Sequence, residues 1–145
     1  MKALLQRVSR SSVAVNGELL SSIDQGLLIL LGVEQEDNSE KVLALCKKIA
    51  NLRIFEDKQG KMNLSVLDVH GEILVISQFT LMANTQKGNR PSFVKAAPPE
   101  IAQLLIAEFC EELRKVGLTV KEGIFGAHMM VSLVNDGPVT IWLEN

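Results

Sequence analysis

The sequence predicts an α/β fold, a curved, partly antiparallel β layer or barrel-like sheet of about eight strands with two helices packed on it. Three observations carry this expectation. Strand-type segments recur from one end of the chain to the other. Only two stretches, near residues 38–52 and 98–116, carry apolar residues at helical spacing. The run Gly26 to Val33 is continuously apolar, which suits a strand covered on both faces. At 145 residues and 47% hydrophobic, the chain is long enough for one core. No linker, repeat or low-complexity segment divides it, so residues 1–145 are expected to form a single domain.

In chain order, Ala3 to Val8, Ser12 to Val15 and Glu18 to Ser22 read as strands. Asn16-Gly17 between the last two is a pair that two-residue hairpin turns with positive φ prefer. Gly26 to Val33 follows. The period then changes, because Val42, Leu45, Cys46 and Ile49 recur at helical spacing, and a helix from about Asn38 to Leu52 is expected. Asp37 and Glu40 have the layout of a capping box before it. Lys61 to Val66 and Glu72 to Leu81 return to strand character, and Ala83 to Ser92 is a polar loop carrying Lys87, Gly88 and Arg90. The second helix opens at Pro98-Pro99 and stops at Gly117, with Ala102, Leu105, Ile106, Phe109, Leu113 and Val116 as its core face. Leu118 to Glu122, Met129 to Val134 and Val139 to Leu143 complete the strands, the last two joined as a hairpin.

Charge and composition narrow the function. Fifteen Lys and Arg against 17 Asp and Glu leave a net charge of −2, so any contact with nucleic acid must use a local basic patch. Lys47, Lys48, Arg53, Lys58 and Lys61 form one candidate cluster, and Lys87, Arg90 and Lys95 another; each reads equally as a solvated face. The two cysteines, Cys46 and Cys110, lie inside helical apolar patterns and read as small core residues, too few for a disulfide framework or a zinc site. The opening residues have too short an apolar run for a signal peptide, and Gly26 to Val33 falls far short of the roughly 20 residues a bilayer requires. A cytoplasmic protein without a membrane segment is expected.

Standard catalytic sets are missing. His70 precedes Gly71 in a turn and His128 approaches a strand, and both read as surface residues rather than bases. No nucleophile elbow, phosphate-binding loop, dinucleotide fingerprint or paired metal-ligand histidines occur, so neither cofactor nor metal is expected. Chemistry would then rest on hydroxyls, amides and backbone. Two stretches stand out. In Ser77-Gln78-Phe79-Thr80 an apolar strand turns polar, and period-two geometry puts Gln78 and Thr80 on one face; the alternative is a strand running out into solvent. Asn135-Asp136-Gly137-Pro138 reads as a turn, and Pro138 withholds a ladder donor and belongs to the one residue type with appreciable access to a cis bond.

Together, Ser77-Gln78-Phe79-Thr80-Leu81 and Asn135-Asp136-Gly137-Pro138-Val139-Thr140 closely resemble the signature pair of the D-aminoacyl-tRNA deacylase family, also described as D-tyrosyl-tRNA deacylases. The resemblance spans the chain, taking in Gln6-Arg7-Val8, Arg53-Ile54-Phe55, Gly60-Lys61-Met62-Asn63 and Arg90-Pro91-Ser92-Phe93. It implies hydrolysis of the ester joining a D-amino acid, or misplaced glycine, to the 3′-terminal adenosine of tRNA, by a homodimer with its active sites at the subunit interface. Gly137-Pro138 matches the family's Gly-cisPro motif, which enters the partner's site and excludes L-amino acids. Ser77, Gln78, Phe79 and Thr80 match the segment lining that site. The resemblance makes the Phe79 and Thr80 backbone N–H groups oxyanion donors and Gln78 a substrate-positioning group. It leaves Thr80 or the substrate's 2′-OH as the proton-handling group. Arg7 would brace the Gly-Pro segment or stay a surface cation; Phe125 and Met129 would contact the adenine or belong to the core. The rival readings are a non-catalytic dimeric module binding RNA ends or a small ligand, and a hydrolase of another activated ester.

Overall fold

The computed structural model describes residues 1–145, and every segment finds a place in it. β1 (Lys2–Val15) turns at Asn16-Gly17, whose φ values of 53° and 84° suit the tight turn the sequence signals, into β2 (Glu18–Ile23) and then β3 (Gly26–Gly32). β1 pairs antiparallel with β3 through its first half and with β2 through its last residues. β6 (Glu72–Ser77) lies parallel to β3, and β7 (Thr119–Glu122) parallel to β6. β8 (Met129–Glu144) runs antiparallel along β1, completing a six-stranded sheet, while β4 (Phe55–Glu56) and β5 (Met62–Leu64) form a small separate pair. Ser21 Oγ donates to the Glu122 carbonyl and Lys121 Nζ to the Ser22 carbonyl, so side chains tie β2 to β7 and bring the sheet close to a barrel.

β3 explains the layering. Leu27, Ile29 and Leu31 face a core shared with α1 (Ser39–Ala50) and α2 (Pro99–Lys115), whereas Leu28 joins Val8, Val13, Ile23, Leu74 and Ile76 in a second core on the concave side. Burial on both faces is why this strand reads as continuously apolar. Cys46 and Cys110 are buried and unpaired within the larger core.

Several elements differ from expectation, some of them where contacts distant in sequence decide. Ala3 to Val8 and Ser12 to Val15 are one strand, because β3 and β2 succeed one another along one edge of β1. Met129–Glu144 is likewise one strand and not a hairpin: β1 pairs with both halves in the same direction, and residues 136–139 bow out opposite Arg7. β6 ends at Ser77, and Phe79–Met82 form a 3-10 turn where continued strand was expected. The strand expected over Lys61 to Val66 shortens to Met62–Leu64. Asn38, not Asp37, caps α1, accepting from the Lys41 N–H at 3.1 Å. Asp37 is buried instead and takes bonds from the Met1 amine and the Glu34 N–H, both at 2.6 Å. α2 ends as expected, with Gly117 at φ 93°, but Val116 is half exposed rather than part of the core face.

Candidate functional site

The main cavity, about 560 Å³, opens at the carboxyl ends of the parallel pair β3 and β6, where open α/β sheets place ligand sites. Its floor is Leu31, Gly32 and Ile76, and its polar end is Ser77 and Gln78. Phe79 forms one wall, Phe125 and Met129 another, and Ala96, Ala97, Pro99 and Ala102, at the entry to α2, a third. Not one lining side chain is ionisable. His70 and His128 are exposed elsewhere, and nowhere do three His, Cys, Asp or Glu gather to hold a metal.

The 3-10 turn is what aims the polar groups. The Gln78 N–H continues the ladder to the Leu31 carbonyl at 2.8 Å, and the Leu81 N–H then closes on the Gln78 carbonyl at 3.3 Å. A 3-10 pattern leaves the N–H groups of Phe79 and Thr80 without a partner inside the turn. Gln78 Nε2 donates to Thr80 Oγ1, so amide and hydroxyl do point together, through a turn and not through strand alternation. Gly32 permits this seating: a Cβ there would lie 2.9 Å from the Gln78 carbonyl oxygen and 2.6 Å from Met82 Cε. Thr80 and Phe79 are exposed, and Phe79 meets the Phe93 ring edge-on, with centroids 5.1 Å apart. That contact brings the loop bearing Lys87 and Arg90 beside the cavity. The other basic cluster is less free, because Arg53 is engaged with Asn63 through two bonds of 2.8 Å.

Gly137 and Pro138 lie on the outward bow of β8, both exposed and joined by a cis peptide bond. The bow is clamped at its base: the Val139 N–H donates to Asn135 Oδ1 at 2.8 Å, and Asn135 Nδ2 to Thr140 Oγ1 at 3.0 Å. Arg7 sits beneath it, 4% exposed, donating from Nε to the Asp136 carbonyl at 2.9 Å and from Nη1 to the Ile54 carbonyl at 2.7 Å. At φ 134° Gly137 occupies backbone space that side chains rarely adopt, and a Cβ there would lie 3.1 Å from Arg7 Nη2. Arg7 pairs with Leu27, whereas the cavity begins four residues further along β3 at Leu31, about 13 Å away at the rise of a strand. The structure thus gathers Ser77, Gln78, Phe79, Phe125 and Met129 around one cavity with Thr80 at its edge, and Arg7, Gly137 and Pro138 into a second feature. The clamp by Asn135 and the alanine wall were not singled out from sequence; the small-residue run Ala96-Ala97 before the helix prolines is the signal that marks the wall.

A cavity of this size at the carboxyl ends of parallel strands, ending in a few convergent neutral polar groups, is the kind of site at which α/β proteins bind a small substrate group. The family described as D-Tyr-tRNA(Tyr) deacylase matches residues 4–144, and the chain belongs to this family of D-aminoacyl-tRNA deacylases. A curated relative from Thermomicrobium roseum, D-aminoacyl-tRNA deacylase, is 58% identical over 145 residues, covering 100% of this chain and 94% of that one. Among solved structures, the c-Myc DNA Unwinding Element Binding Protein superposes with a TM-score of 0.95 at 48% identity, covering 100% of this chain and 99% of that one. A probable eukaryotic D-amino acid tRNA deacylase shares the fold at a TM-score of 0.85 and 15% identity, over 98% of this chain and 97% of that one.

Proposed function

We propose that the protein hydrolyses the ester between a D-amino acid, or glycine, and the 3′-terminal adenosine of tRNA, as a homodimer in which each protomer's Gly137-Pro138 bow closes the other's cavity. The observation that carries this is the separation of two built features within one chain. The main cavity is lined without Gly137 or Pro138, and the braced Gly137-Pro138 segment stands exposed on the outward bow of β8.

The substrate ester is already activated and needs chiefly a placed water and a home for the developing oxyanion. Water oxygen bonds to the acyl carbon, the acyl–O3′ bond breaks, and the ribose 3′-oxygen leaves with a proton. The Phe79 and Thr80 N–H groups receive the oxyanion, while Ser77 and Gln78 orient the ester. Phe125 and Met129 hold the adenine. Thr80 has no base beside it and its oxygen already accepts from the Gln78 amide, which favours the substrate's own 2′-OH as the proton carrier. The Gly137-Pro138 backbone of the partner forms a wall against an L side chain and offers carbonyls to the substrate ammonium. Lys87, Arg90 and Lys95 beside the cavity supply phosphate contacts.

Release of radiolabelled amino acid from D-aminoacyl-, L-aminoacyl- and glycyl-tRNA, with sedimentation in parallel, tests the reading. Hydrolysis of the D and glycyl substrates alone, by a dimer, is the expected outcome. A protein that binds all three and cleaves none is a binding module, and a fully active monomer removes the cross-subunit site.

A further inference from the structure

The structure assigns Gly123 a positioning role: we infer that it sets the depth of the cavity by leaving the room into which Met129 folds, and so governs how the nucleoside end of the substrate is held. This rests on the reading in which Met129 borders the adenosine. Gly123 directly follows β7, and its N–H continues that strand's pairing to the Val75 carbonyl at 3.1 Å. It lies outside the main cavity and lines a smaller adjoining cleft of about 190 Å³.

A Cβ at Gly123 would lie 2.5 Å from Met129 Sδ, 3.0 Å from Ile76 Cδ1 and 3.6 Å from Met129 Cε. At 2.5 Å the Met129 sulfur must move, whereas the 3.0 Å contact with Ile76 Cδ1 asks only for a few tenths of an ångström. Ile76 cannot move further than that, being 2% exposed, set in the inner core and paired with Leu30 of β3. Met129 can, because its thioether hangs on three rotatable bonds. Ile76 and Met129 both line the main cavity, which is the open volume beside them. A methyl group at position 123 therefore drives the Met129 thioether into that cavity.

The backbone gives no other reason for glycine here. Gly123 is not among the glycines of positive φ, so alanine suits its conformation without strain. The residue is small for the sake of Met129. Substitution should accordingly spare the fold, since the atom displaced is the end of a flexible chain, and alter the site.

The test compares Gly123→Ala with the wild type by methyl NMR of the protein labelled at its five methionines, and by steady-state deacylation of D-aminoacyl-tRNA. Expected are a displaced Met129 ε-methyl resonance, the other methionine resonances unmoved, and KM raised about fivefold or more with kcat within twofold. Adding Met129→Ala to Gly123→Ala should bring KM back to that of Met129→Ala alone, because the pair acts through one contact. An unmoved Met129 resonance overturns the inference, as does a moved resonance with unchanged KM, or a uniform loss of active protein with a lowered Tm. If the wild type cleaves no D-aminoacyl-tRNA, it is the deacylase reading that fails; titration with adenosine 5′-monophosphate still decides whether Gly123→Ala weakens nucleoside binding, and an unchanged affinity then refutes the role of Gly123.

Discussion

Arg7→Met removes a charge from beneath the Gly137-Pro138 bow while keeping most of the apolar stem. Two carbonyls lose their donor, Ile54 O at 2.7 Å and Asp136 O at 2.9 Å. A hydrogen bond from a charged group contributes about 1.5–3 kcal/mol, and the buried Ile54 bond deserves that range. The Asp136 carbonyl is partly exposed and water replaces its donor, so about 1 kcal/mol is its ceiling. The Glu56 and Asp136 carboxylates, at 3.7 and 3.6 Å, are each about half exposed and add little. The sum, about 1.5–4 kcal/mol, lowers Tm by about 3–15 °C in a chain of this size yet leaves it folded at 20 °C. Deacylation by the folded variant at 20 °C should fall at least tenfold, because the bow has lost the bond that holds the Asp136 carbonyl, next to Gly137, in place. Arg7→Lys should fall between the two, since one ammonium cannot fork to both carbonyls. Thermal unfolding, sedimentation and deacylation on the same preparations check this; a stable dimer with full activity, or activity lost only in proportion to the folded fraction, refutes the bracing role.

Thr80→Ala should slow deacylation by less than about tenfold, whereas D-aminoacyl-tRNA ending in 2′-deoxyadenosine should be nearly inert; the reverse pattern in single-turnover rates returns Thr80 to the lead. Burial, then the nearby Glu112 and Glu108 carboxylates, pushes the Cys46 thiol up to about 12, and burial pushes Cys110 up as well. Neither cysteine should therefore react with iodoacetamide at pH 8 until the protein is unfolded. Burial raises the Asp37 carboxyl, but bonds from the Met1 amine, the Glu34 N–H and Lys41 outweigh it and hold the group below its ordinary 3.8. The stability it supplies is present above about pH 4 and lost as pH falls through its folded value, so the gap between wild type and Asp37→Asn in urea melts should narrow on going from pH 7 to pH 3. Affinity for tRNA should drop steeply with salt and lose part of that slope in Lys87→Ala/Arg90→Ala; a flat response confines recognition to the terminal adenosine.

Local chemistry made much of the fold readable. The Asn16-Gly17 turn, the helical spacing of Val42, Leu45, Cys46 and Ile49, and the pairing of Pro99 with Gly117 at the ends of α2 are decisions a chain makes within a few residues. The misreadings fall where a distant partner decides. Proline and glycine at 137–138 signal a reversal, but β1 offers a continuous edge and pairs with residues on both sides of the bow, so the strand resumes its direction. Gln78 to Leu81 alternate like a strand, yet the chain coils there because Gly32, far back in sequence, leaves the hollow into which the turn settles. The site was legible as residue types and not as geometry: Gln78 and Thr80 meet through a turn, and Arg7, open in sequence between a brace of the Gly-Pro segment and a surface cation, is buried and bonded to the Asp136 carbonyl.

The neutrality of the cavity wall bears on discrimination. With no ionisable side chain among its lining residues, the cavity has no charge to match against an amino-acid side chain, and in the function we propose its polar groups, Ser77 and Gln78, address the ester that every substrate shares. Selection must then work by exclusion. On the proposed reading, a rigid backbone wall meets an L side chain as a clash of several kcal/mol and meets glycine with nothing at all, while a D side chain pointing away from it makes no contact to be judged. A site built this way tolerates many side chains of one hand without a pocket for any of them. In the proposed site the precision lies in the position of the wall, and a buried arginine and an asparagine clamp beside the exposed Gly-Pro step suit that demand.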